Sequence, residues 1–259
     1  MFSMVGCVRC VGRLGVHPSR RFCTTVLLLA CAGATQAQTD RTLGDWQLSA
    51  GWQNYSEAKM QLKGPELGLH WQSQSWGPYS LEADALLGLQ DYSSAESGRM
   101  NRVPNIDTRW RAFRAPSNQL QWQYGLALHT HANFLRGTSS LGFVGYDRLS
   151  TQWWLPVRWQ SVGDQRWIVD AGWLLWGEHV SRLSQASSRF QDVTHTQRKG
   201  AYVRISQKFI TSQGELEPYA RWTWVDDSNV QIMHAAGQRV VSYEPENTRL
   251  QVGVKWRFR

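Results

Sequence analysis

His129 and His131 are the pair whose type and spacing best suit chemistry. In an extended segment, side chains two residues apart point the same way, so both imidazoles would face one surface, as metal ligands or an acid–base pair must. Acids expected at the same end of neighbouring segments are Asp91, Glu178, Asp226 and Asp227, with His179 and His195 beside them. The competing reading is that these positions are polar because they meet water at the edge of a sheet. No metal-ligand spacing and no cofactor motif accompanies them, so neither a metal nor a cofactor is expected.

A second set of residues is larger and one-sided. Glu82, Asp84, Asp107, Arg109, Arg111, Arg148, Arg158, Asp170, Arg204, Glu217, Arg221 and Arg249 fall on a single face of their segments, with Asp45, Glu66, Arg166, Lys208, Lys255 and Arg257. Guanidiniums with several donors can cross-link carboxylates into a packed network. The alternative is a narrow polar conduit whose surplus Arg favours anions.

The elements that must hold these residues are strands. Ten segments alternate with period two: Leu43–Tyr55, Gly64–Gln74, Ser80–Tyr92, Asn105–Arg114, Leu120–His131, Asp147–Gln160, Gln165–His179, Arg198–Phe209, Leu216–Val225 and Asn247–Phe258. No helical period competes. At the chain end Leu250, Val252, Val254, Trp256 and Phe258 alternate with Arg249, Gln251, Gly253, Lys255 and Arg257. All fifteen tryptophans lie beyond residue 45, most of them in register on this apolar face. A soluble core holding so many indoles would be crowded, whereas membrane interfaces favour them. The apolar face carries no Lys, Arg, Asp or Glu, as exposure to lipid demands. Trp154 and Trp176 break the pattern and are expected to point inward, plugging a lumen or stacking on a guanidinium. Pro156 removes a ladder donor and predicts a bulge or kink in its strand.

Connection lengths alternate too. Ser75–Tyr79, Ala115–Gln119, Ser161–Asp164 and Thr211–Gly214 are short and rich in turn residues. Ser93–Pro104, Ala132–Tyr146, Val180–Gln197 and Asp226–Glu246 are long and polar. An up-and-down transmembrane barrel sorts its connections in this way, with short turns in the periplasm and long loops outside. Mean hydropathy is −0.45, which is no obstacle, because only alternate residues of such strands need be apolar.

Residues 1–37 read as a signal peptide and 38–259 as the barrel domain. Arg9, Arg13, Arg20 and Arg21 precede the apolar run Phe22–Ala30, and Thr35-Gln36-Ala37 is a small-residue cleavage site. All four cysteines, Cys7, Cys10, Cys23 and Cys31, lie in this leader, so an exported mature chain would hold no disulfide. Its removal takes four of 28 basic residues and no acid, lowering the formal charge from +8 to +4. Nothing beyond that modest charge points to nucleic acid.

The segment from 38 to the C-terminus resembles a Gram-negative outer-membrane β-barrel of about ten strands. The last strand, Leu250–Arg259, is similar to the C-terminal signal read by the barrel-assembly machinery, although Phe258 is penultimate where that signal normally ends in an aromatic residue. The resemblance implies an outer-membrane location, with lipid and lipopolysaccharide as surroundings. Outer-membrane phospholipases and lipid A deacylases use a His followed closely by Ser and Asn; His129-Thr130-His131-Ala132-Asn133 lacks the serine. Omptin proteases set acids against an Asp–His pair, and Asp226-Asp227 has no adjacent His. The leading expectation is therefore a non-enzymatic envelope protein, either a narrow channel or a barrel presenting surface loops. The alternatives are a rim enzyme acting on lipid or peptide, with His129 and His131 central, and a soluble periplasmic β-barrel that binds a ligand.

Overall fold

The computed structural model describes residues 44–74, 79–114, 121–162, 166–235 and 238–258. The expected leader with its cysteines, and most of three expected short turns at 75–78, 115–120 and 163–165, lie outside the described residues. The strands are β1 (Gly44–Glu57), β2 (Gln61–Ser73), β3 (Tyr79–Ser94), β4 (Gly98–Arg114), β5 (Trp122–Phe134), β6 (Asp147–Gln160) and β7 (Arg166–Ser181). They continue with β8 (Val193–Gln197), β9 (Gly200–Thr211), β10 (Gly214–Val225), β11 (Gln231–Ala235), β12 (Gln238–Ser242) and β13 (Asn247–Phe258).

Sequential strands pair antiparallel, and the sheet closes where β1 meets β13, from Leu48 opposite Trp256 to Glu57 opposite Asn247. β8 runs along Gly177–Ser181 of β7 and β9 along Arg166–Trp173, so the two are halves of one interrupted stave. With that join the barrel has ten strands. Closure leaves the barrel wall no open seam among the described residues, so its ladder groups find partners in a solvent that offers none.

The alternation decides which face each side chain takes. Trp46, Leu67, Leu87, Trp110, Trp122, Tyr124 and Trp173 are each half or more exposed on the outside, while most of the charged set is buried inside; Asp45 and Arg257 instead pair in the open at the short-turn end. Trp46, Trp71, Trp122, Trp159, Trp167 and Trp256 gather near the short-turn end, and Trp153, Trp176 and Trp224 lie nearer the long loops. Such girdles flanking an apolar band are what two membrane interfaces select. At the described short turn, Gly214 adopts φ 145°, and a Cβ there would come within 2.1 Å of the Arg257 carbonyl oxygen. Only glycine closes this two-residue hairpin without strain.

Three expectations are corrected. Trp176 does not point inward: β6–β7 shifts register between Trp153 and Trp154, Leu175 is skipped, and Trp176 comes to face Trp153 on the outer side. The bulge expected at Pro156 lies at that shift instead; Pro156 pairs regularly with Gly172 on β7, while on the β5 side the ladder is interrupted at Leu155 and Pro156. The long connection expected over 93–104 is mostly strand, because β3 and β4 extend to a hairpin pairing Ser94 with Gly98, past an irregularity between Gln90 and Tyr92. The loop over 226–246 likewise contains the β11–β12 hairpin.

Candidate functional site: the barrel interior and its outer mouth

Inward residues of the half nearest the short turns form one charge network. Arg158 on β6 donates through Nη1 and Nη2 to Glu82 at 2.5 and 2.9 Å and through Nε to Asp170 at 2.5 Å. Arg204 donates to Asp170 at 3.2 Å and to Glu217. Arg111 donates to Asp84 at 2.6 Å and lies 3.2 Å from Glu82. Lys255 stands 3.8 Å from Asp84, and Arg158 stacks over Phe113 at 4.0 Å. Cations and carboxylates alternate around the barrel, so each buried charge meets an opposite one.

His70, which the sequence analysis passed over, belongs to this network. Its Nδ1 lies 2.7 Å from Asp84 and its Nε2 2.7 Å from the Ser49 hydroxyl. Serine, imidazole and carboxylate in that order have the connectivity of a nucleophile, its base and its orienting acid. The chain arises from strand register, with His70 opposite Asp84 and Ser49 opposite Gly68, and no linear motif announces it. Ser49 and His70 are 7% and 5% exposed, and Asp84 is already held by Arg111, so this triad is a sealed part of the wall.

The half nearest the long loops is built differently. Trp154 is fully buried and meets the Tyr202 ring edge-on at 5.3 Å, with the His129 ring 5.6 Å from Trp154 and 5.8 Å from Tyr202. Gly172 makes room for this plug, since a Cβ there would stand 2.4 Å from the Tyr202 ring. Arg221 lies over the Tyr202 ring at 4.0 Å. Asp107 pairs with Arg109 at 3.0 Å and Arg249 at 2.5 Å, while His131 remains 3.6 Å from its carboxylate. Around these groups lies a cavity of about 30 Å³, lined by His129, His131, Asp107, Arg109, Arg221, Arg249, Tyr55 and Ser150 among others.

Above the cavity, Arg148 joins strand to loop. It donates to Glu57 at 2.6 Å and to Glu244, which comes from the loop between β12 and β13. His179 places Nδ1 2.7 Å from the Ser150 hydroxyl, while its Nε2 accepts from Arg148 Nε at 3.4 Å and lies 3.3 Å from Glu244, a second set of serine, imidazole and carboxylate. Burial pushes the Glu244 carboxyl above the ordinary carboxylate range, and the Arg148 guanidinium only partly offsets this. His195 meets Ser242 at 3.0 Å, and the Asn229 amide donates to the Thr196 carbonyl at 3.0 Å, so the last loop is tied across the mouth.

The residues singled out in the sequence are thus split. His129 and His131 do face inward together, but below the mouth, 8% and 7% exposed. Asp226 pairs instead with Lys199 at 3.4 Å, and Asp227 accepts the Glu246 amide at 2.5 Å, so neither joins the imidazoles. Their polar character belongs to loop anchoring. Among the described residues, no cluster of three or more His, Cys, Asp or Glu could hold a metal ion.

No protein-family model matches the chain, and no curated protein matches it either. Among solved structures it is similar to the translocator domain of the autotransporter NalP from Neisseria meningitidis, at 10% identity and a TM-score of 0.45 over 90% of this chain and 94% of that one. The β domain of the Bordetella autotransporter BrkA gives 13% identity and 0.44 over 84% and 100%, and Neisserial surface protein A gives 12% and 0.36 over 84% and 98%. The chain is a closed, ten-stranded antiparallel β-barrel of the transmembrane kind. That statement rests on the closed sheet, its charge-free outer belt and its sorted connections.

Proposed function

We propose that this barrel is a non-enzymatic envelope protein whose lumen is shut and whose work is done by its outer loops. The observation that carries this reading is the filled cross-section. The Arg158–Asp170–Arg204 network occupies one half of the interior and the Trp154–Tyr202 plug the other. A ten-stranded barrel has little more interior than its side chains fill, so a network of this density leaves no conduit for solutes. In this reading the leader over 1–37 is removed on export, the C-terminal strand is inserted by the barrel-assembly machinery, and the loops face outward among lipopolysaccharide. The test is planar-bilayer recording of the purified, refolded barrel. No conductance steps are expected; reproducible steps from the wild-type protein would overturn the closed lumen in favour of a narrow channel.

The Ser150–His179–Glu244 chain favours a second reading, a hydrolase at the outer mouth acting on lipid or peptide. Ser150 would lose its proton to His179 Nδ1 as its oxygen attacks a carbonyl, and the tetrahedral adduct would expel its leaving group with that proton; this requires Arg148 to release Nε2 so that Glu244 can hold the imidazole. A fluorophosphonate probe separates the readings: labelling lost in Ser150→Ala and kept in Ser49→Ala supports the hydrolase, and an unlabelled wild type supports the non-enzymatic barrel.

A further inference from the structure

We propose that the cavity beneath the outer mouth binds a small inorganic anion of about chloride's size, gripped by Arg221. Charge is out of balance around this cavity. Arg109, Arg221 and Arg249 surround the cavity, against one lining carboxylate, Asp107. Counting Glu66, which accepts from Gln251 at 2.9 Å, still leaves three cations facing two carboxylates. Arg109 and Arg249 both engage Asp107, so the surplus falls on Arg221.

Arg221 is 2% exposed, and among the described residues no carboxylate pairs with it. Its guanidinium covers the Tyr202 ring, Nε donates to Thr223 at 3.4 Å, and Nη2 donates to His129 Nδ1 at 3.4 Å. Nη1 is buried with no hydrogen-bond partner. Isolated buried charge is among the most expensive things a protein can hold, and it is normally neutralised by a counter-charge.

The neighbouring imidazole points to the same ligand. Because His129 Nδ1 accepts from Arg221, the proton of the neutral ring sits on Nε2, which is a buried donor with no acceptor. Arg221 and His129 both line the cavity, and each holds a buried N–H without an acceptor, the inverse of a metal site. The volume of about 30 Å³ matches a single water or a monatomic anion rather than a sugar, a lipid headgroup or a nucleotide. This site does not rest on what the outer loops do.

The experiment uses the full barrel, refolded into detergent micelles in sodium chloride, bromide or gluconate at equal ionic strength. Thermal unfolding is followed by the heat-dependent change in gel migration. Chloride and bromide are expected to raise the midpoint saturably over gluconate, by about 2–4 °C. Arg221→Met is expected to fold and to lose that dependence. Crystals grown in bromide are expected to show an anomalous peak within the cavity lined by Arg109, Arg221 and Arg249. Equal midpoints in all three salts, anion dependence surviving in Arg221→Met, or a cavity holding water only in bromide crystals would overturn the site. With sodium sulfate as a fourth salt, a stabilisation larger than chloride's that disappears in Arg221→Met would overturn the monatomic assignment. If Arg221→Met does not fold, the wild-type bromide crystals decide.

Discussion

The two halves of the lumen face the same problem, polar groups in a confined low-dielectric tube, and solve it unequally. Near the short turns, Arg158, Arg204 and Arg111 each reach more than one carboxylate, and Asp170 collects both Arg158 and Arg204. Near the long loops, among the described residues, Arg221 meets no carboxylate and buried atoms of His129, His131, Trp154 and Tyr202 have no hydrogen-bond partner, whereas the orphaned atoms of the first half, on Arg111, Gln123, Ser206 and Glu215, belong to no unpaired charge. Compensated charge is a device for rigidity, since breaking any one pair strands its partner. Uncompensated polar atoms contribute nothing to stability, and natural proteins keep few of them. The difference marks the first half as the seal of the barrel and the second as the part in which a ligand, or a change of loop position, has something to gain.

The comparison is broken most easily at Asp170. Asp170→Asn leaves Arg158 and Arg204 buried beside a neutral amide, and the expected destabilisation is roughly 3–5 kcal/mol, read as a fall in the urea midpoint of the refolded barrel. An unchanged midpoint would mean that the network is decoration and that closure of the sheet alone holds the lumen. The matching change in the other half is Tyr202→Phe. It deletes a hydroxyl that has no partner, keeps the ring under Arg221 and keeps the packing on Trp154. Stability is expected to hold or to rise by about 1 kcal/mol, since an unsatisfied buried group is removed. A loss as large as that of Asp170→Asn would show that both halves are equally engaged, and the distinction between seal and site would fall.

Much of this architecture was legible in the chain because a strand's period is two and a membrane's rules are strict. Alternation from Leu250 to Phe258, the charge-free face of Trp46, Leu48 and Trp52, and the inward run of Glu82, Asp84, Arg109 and Arg111 need no tertiary information to read. What depends on register was illegible. His70 meets Asp84 and Ser49 only because β1, β2 and β3 align in one way among several, and Ser150, His179 and Glu244 come from two strands and a loop. Trp176 was misread for a related reason: one skipped residue on β7 inverts the faces beyond it. Loop length was misjudged where polar residues continue a strand past the membrane, as over 93–104, since water-exposed strands lose the apolar alternation that identifies them. Asp226 and Asp227 look like chemistry in sequence because loop anchors and catalytic acids are the same residue types.

The smallest expected effect sharpens the comparison at the mouth itself. Glu244 faces Arg148, with Glu57 and His179 beside it, and burial raises its carboxyl above the ordinary range. A group whose folded value lies above its unfolded one binds protons more readily in the closed state. Its contribution to loop closure is therefore complete below the ordinary carboxylate range and is lost as pH rises through the raised value. Hydrogen exchange of the β11–β12 hairpin, corrected for the intrinsic pH dependence of exchange, is expected to show stronger protection near pH 5 than near pH 7. Glu244→Gln, neutral at both, is expected to flatten that profile while leaving protection of the barrel strands alone. Protection that instead grows with pH would mean that the Arg148 ion pair outweighs burial, and the mouth would then be held by compensated charge like the half below it.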